Sequence, residues 1–140
     1  MQLGELLTSL FVNLQALIKR EVNLGRASFP KIIALSVIPP DGFEMSALAR
    51  KMGVDNSTAT RLVIGMEKAG WVKRESSSYD KRVNQVFLTK KGYSLQSNLE
   101  EQFELIGKVV EGSLNPADKL GISNTISSLN WVLLKLIADK

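Results

Sequence analysis

Two short segments of helical apolar spacing meet at Gly53, and that meeting constrains the fold more than any other feature of the chain. On the N-terminal side, Met45, Leu48, Ala49 and Met52 recur at the spacing of one helix face. Glycine reaches φ > 0 without steric cost, so the chain can turn sharply at Gly53 while Val54 fills the turn. Asp55 then stands one residue before the next periodic stretch. There its carboxylate can accept from the free N–H groups of a helix that begins at Asn56. In that second helix Ala59, Leu62, Val63 and Met66 face inward, and Gly70 ends it. Asn56, Ser57, Thr58, Thr60 and Arg61 form a polar face over its first turn and a half. A helix-turn-helix presents side chains to the DNA major groove in this way, and a helix N-terminus also favours phosphate. Ser and Thr cap helices well in any αα-hairpin, so the residues that follow decide between the two readings.

Trp71, Val72 and Lys73 open a strand, ESSSYDKR is too polar for a core, and Val83 to Thr89 alternates as a second strand. Val83, Gln85, Phe87 and Thr89 fall on one face of it, and Asn84, Val86 and Leu88 on the other. The pattern predicts a β-hairpin with a basic tip, and Trp71 is expected to pack beneath it. Lys73, Arg74 and Lys81 are candidate phosphate contacts. Arg82 suits the negative potential of a narrow minor groove. Asp80 reads as a partner that orients an arginine or the hairpin backbone. Without the preceding helices the Asp80 and Arg82 pair would read as an exposed salt bridge worth under about 1 kcal/mol.

Charge singles out the same stretch. Met45 to Gly92 holds ten Lys and Arg against four Asp and Glu, a net +6, whereas the remainder carries eight against ten, a net −2. A basic centre between near-neutral flanks is the footprint of a phosphate-binding module. The 140 residues contain no cysteine and no histidine. Disulfides, thiolate nucleophiles, thiol switches and Cys- or His-based metal sites are therefore excluded, and the chain does not read as an enzyme.

The flanks are helical. Leu3, Leu6, Leu7, Leu10, Phe11, Leu14, Leu17 and Ile18 share one face of a helix predicted to run to about Leu24. Ser28 caps a short helix with Pro30 in its first turn, which Pro39 and Pro40 stop. A long amphipathic helix opens near Lys91 with Leu95, Leu99, Phe103, Ile106 and Val110. Asn115, Pro116 and Asp118 start a last helix carrying Leu120, Ile126, Leu129, Val132, Leu133, Leu136 and Ile137, with Trp131 expected to pack among the dimer helices. These stripes exceed what the central module can cover, so the chain is expected to dimerise through them. The longest apolar runs are four residues, far short of the roughly 20 a membrane span needs. The start of the chain lacks a secretory pattern, and a cytoplasmic location is expected. The expected fold is mainly α (α+β), one continuous domain. Residues 1–28 form a dimerisation helix, 29–92 a winged helix-turn-helix lobe, and 93–140 further dimerisation helices.

The run MSALARKMGVDNSTATRLVIGMEKAGWVKRESSSYDKRVNQVFLTKKGYSL resembles the winged helix-turn-helix core of the MarR/SlyA transcriptional regulators. The likeness rests on the Ser/Thr-rich helix, the exit from Glu67 to Arg74, the Asp80 and Arg82 wing pattern, and the return from Leu88 to Gly92. By motif it covers roughly residues 29 to 95. The resemblance implies a homodimeric repressor or activator on double-stranded DNA at a pseudo-palindromic operator. It places Ser57, Thr58, Thr60 and Arg61 on the recognition helix, Arg82 on the wing arginine and Asp80 on the wing aspartate. It also implies release by a small aromatic or lipophilic effector, although no ligand-binding motif is matched. Glu44 departs from the Thr cap usual in the family. The competing reading is a winged helix that docks an acidic protein partner; a membrane-surface role lacks the basic helix face it would need.

Overall fold

The computed structural model describes residues 1–76 and 84–138. In chain order the elements are α1 (Leu3–Glu21), α2 (Phe29–Val37), β1 (Phe43–Glu44), α3 (Met45–Met52), α4 (Asn56–Lys68), β2 (Val72–Ser76), β3 (Asn84–Leu88), α5 (Lys90–Ser113) and α6 (Pro116–Ala138). They fall into two compact units, Met1–Glu104 and Leu105–Lys140, with the division inside α5.

The first unit is built around α2, α3 and α4. Ser28 caps α2, its hydroxyl accepting from the Lys31 N–H at 3.4 Å with Pro30 in the first turn. The helix stops at Val37, and Ile38 is extended before Pro39, as the steric clash with a following proline requires. Gly53 closes α3 at φ 69°, in the left-handed region, and its N–H bonds back to Arg50 at 3.2 Å. Leu35, Ile38, Leu48, Val63, Met66, Val86 and Leu99 are the large side chains sealed in the resulting core. Leu62, expected to face inward, is half-buried. The one buried polar side chain among the described residues, Gln96 of α5, is 7% exposed. Its amide donates to the carbonyls of Leu35 at 2.8 Å and Ile38 at 2.7 Å, which serves the carbonyls orphaned at the end of α2.

The sheet is antiparallel in the order β1-β3-β2. The hairpin strands pair from Val72 with Leu88 out to Ser76 with Asn84. β1 adds a strand that periodicity does not predict, setting Phe43 against Val86 and Glu44 against Gln85. Trp71 is buried at the foot of the hairpin, where the sequence places it.

The sheet hands over to α5 through a dense knot. Thr89 donates its N–H to the Trp71 carbonyl at 3.0 Å, its hydroxyl donates to the Gly70 carbonyl, and the same hydroxyl accepts from the Gly92 N–H at 3.0 Å. Lys91 Nζ reaches the Ala69 carbonyl at 3.0 Å, supplying positive charge at the end of α4.

α1 stops at Glu21, before the Leu24 expected from its stripe, because Val22 turns extended and Asn23 is held from outside the helix. The Gln102 side chain accepts from the Asn23 N–H at 2.7 Å and donates to the Asn23 carbonyl at 2.9 Å. No residue of α1 is buried, and Leu3, Leu6, Leu10, Phe11 and Leu14 are exposed. In the second unit α6 likewise buries nothing. Its Trp131 is 60% exposed, with Lys135 Nζ 4.3 Å from the ring centroid.

Candidate nucleic-acid interface

The polar start of α4 is held by its own side chains. Asp55 is the N-cap, in extended conformation, and its Oδ1 accepts from the Thr58 N–H at 2.7 Å and the Ser57 hydroxyl at 3.0 Å. Thr58, through its hydroxyl and backbone N–H, and then Ser57 hold the Asp55 carboxyl below its ordinary range, with Arg61 adding a weaker pull. Because the folded-state value is the depressed one, this capping contribution is intact above the ordinary carboxylate range and lost as pH falls through the lowered value. Arg61 Nη2 donates to the Thr58 hydroxyl at 3.3 Å, and the Thr60 hydroxyl turns back onto the Asn56 carbonyl at 2.8 Å.

One face of α4 is therefore sunk in the core through Ala59, Val63 and Met66, while Asn56, Ser57 and Arg61 are exposed and Thr58 and Thr60 are half-exposed beside them. An amide, hydroxyls and a guanidinium over a helix N-terminus can donate to phosphate oxygens and base edges, and the small side chains allow close backbone approach. All five helix residues read from the sequence come together here.

The hairpin residues divide. Lys73 is exposed and lies 3.1 Å from Glu75 of its own strand. Arg74 is engaged with α4: its Nε and Nη2 lie 3.0 and 2.9 Å from Glu67 Oε1. Asp80, Lys81 and Arg82 lie outside the described residues. Sequence reasoning missed Glu67 as the partner of Arg74, since the two are seven residues apart across a helix end and a strand start.

The MarR family matches residues 41–83 of this chain. Over 107 residues the chain is 32% identical to the uncharacterized HTH-type transcriptional regulator YfiV of Bacillus subtilis (strain 168), covering 76% of this chain and 67% of that one. A crystal structure of MarR superposes with a TM-score of 0.83 at 17% identity, covering 100% of this chain and 96% of that one. Streptococcus pneumoniae FabT in complex with DNA gives 0.75 at 21% identity, over 95% of this chain and 96% of that chain. Bordetella bronchiseptica BpsR, a protein whose DNA binding is regulated by 6-hydroxynicotinic acid, gives 0.73 at 18% identity over 92% and 93%. The helix-turn-helix and the three-stranded sheet are those of a winged helix, and the matches make the chain a DNA-binding transcription regulator. The chain belongs to the MarR family. Among its described residues no helix is long and apolar enough to cross a membrane.

Proposed function

We propose that this protein is a cytoplasmic, homodimeric repressor that occupies a pseudo-palindromic operator and leaves it when a small aromatic or lipophilic organic ligand binds. The observation that carries the reading is the start of α4: Asn56, Ser57 and Arg61 stand exposed on a helix whose opposite face is locked into the core. In this reading Asn56, Ser57, Thr58, Thr60 and Arg61 enter the major groove, Lys73 and Lys81 meet phosphate, and Arg82 makes the wing contact in the minor groove with Asp80 orienting it. The dimer is supported by the exposed apolar stripe of α1. Ligand control is supported by the regulation of BpsR by 6-hydroxynicotinic acid and by the lack of Cys and His, which removes thiol and imidazole sensing. The protein has no catalytic role in this account.

The test is a binding titration on a duplex that the wild-type protein selects from a randomised pool. Arg61→Ala should cost about 1–3 kcal/mol and relax preference at particular positions. A panel of aromatic carboxylates should include a compound that dissociates the complex, whereas zinc and mild peroxide should leave it intact. Unchanged affinity after Arg61→Ala and Arg82→Ala together would instead favour docking to an acidic protein.

A further inference from the structure

The basic side chains of β2 point in different directions and have different company. Successive residues of a strand alternate faces, so Val72 and Arg74 share one face while Lys73 and Glu75 share the other. Val72 is buried, which identifies its face as the one turned towards the core. From that face Arg74 returns to the last turns of α4, where two of its nitrogens converge on one oxygen of Glu67, and both side chains are only about a third exposed, at 34% and 31%. Lys73 projects from the other face and, among the described residues, pairs with Glu75, two residues along its own strand and more than half exposed.

The place of this pair in the chain matters. Only Ala69, Gly70 and Trp71 separate α4 from β2, and Gly70 turns at φ 81°. The Trp71 N–H holds the turn to the Met66 carbonyl at 2.9 Å. Beyond the turn, Arg74 and Glu67 make the one side-chain ion pair among the described residues that ties the hairpin to α4.

We propose that Glu67 and Arg74 form a strut that sets the hairpin against α4, making Arg74 a positioning residue for DNA binding and not a phosphate contact. This rests on the DNA-binding reading above, and it assigns the two adjacent cations of β2 separate tasks. Lys73 contributes charge to the DNA; Arg74 contributes geometry. It also assigns a role in DNA binding to an anion, Glu67, that electrostatics alone would count against binding.

That contrast gives the test its sign. Glu67→Gln removes a negative charge from a DNA-binding lobe, so if Arg74 were a phosphate contact the substitution would free it and tighten binding. If the pair is a strut, Glu67→Gln and Arg74→Gln should each weaken binding to the selected duplex by about three- to tenfold. The salt dependence separates the cations. Lys73→Gln should lower the slope by about 2 per dimer, near 0.9 for each lost phosphate contact, and Arg74→Gln should leave it unchanged. A readout without DNA accompanies these: amide hydrogen exchange of β2 and β3 in the free protein should quicken in both strut variants, with the amides of α3 and of the buried part of α4 unaltered. Equal or tighter binding by Glu67→Gln, a slope lowered by Arg74→Gln, or unaltered exchange in the hairpin would each overturn the proposal. If the wild-type protein selects no duplex at all, the DNA-binding reading fails by itself, and the exchange measurement still decides whether the strut exists.

Discussion

Gly92→Ala should cost the first unit its stable fold. A β-carbon at Gly92 would lie 1.9 Å from the Trp71 carbonyl oxygen and 2.9 Å from its carbon, and both obstacles are backbone. Neither side has room to retreat. The Trp71 carbonyl is held by the Thr89 N–H at 3.0 Å, and the Gly92 N–H is held by the Thr89 hydroxyl at 3.0 Å, so separating the start of α5 from the start of β2 breaks the knot that joins them. Helix propensity alone predicts the opposite sign, since alanine is favoured over glycine inside a helix by about 1 kcal/mol. The close approach should dominate, with a loss of about 4 kcal/mol or more, the range reserved for strained or broken backbone arrangements. Thermal unfolding followed by circular dichroism checks this; a Tm equal to or above that of the wild type would show that α5 does not approach the strand so closely.

Charging the exposed stripe of α1 should abolish tight operator binding without unfolding the first unit. Leu10→Glu with Phe11→Glu replaces side chains that are 53% and 64% exposed in the single chain, so the core built on Leu35, Leu48, Val63 and Met66 is untouched. In the proposed dimer those positions are covered, and burying carboxylates there is strongly unfavourable. Sedimentation at micromolar concentration should shift from about twice 15.4 kDa to the mass of one chain. Affinity for a palindromic duplex should fall by about 10²- to 10⁴-fold, because the second half-site loses the effective concentration that the linked first half-site supplies. A wild-type protein that sediments as a monomer yet binds the palindrome tightly would contradict the dimer.

How much of this was legible in the sequence depended on how local the physics is. The cap at Asp55, the turn at Gly53 and the inward set Ala59, Val63 and Met66 are all decided within a few residues, and the helix-turn-helix stands where spacing places it. Ser28 with Pro30 likewise starts α2 as expected. β1 escaped because two residues carry no period, and the strand exists only by pairing Phe43 and Glu44 with Val86 and Gln85, some forty residues on. The stripe of α1 continues to Leu24 and so points to a longer helix, while Gln102, far along the chain, holds Asn23 outside it. Gln96 is no part of the apolar stripe Leu95, Leu99 and Phe103, and the carbonyls at the end of α2 make it a buried clamp. Arg74 shows the same limit within the candidate site. Its charge marks it as a candidate phosphate contact, and its pairing with Glu67 is visible only once the strand's alternation and the end of α4 are known together.

The most direct measurement of the central claim is selection from a randomised DNA duplex pool by the wild-type protein, followed by sequencing of the bound fraction. The expected product is an enriched inverted repeat whose half-sites are centred about 34–36 Å apart, or a multiple of that spacing, as two copies of α4 in successive major grooves require. A pool that emerges unenriched, or enriched for a single asymmetric site bound by one chain, would contradict it.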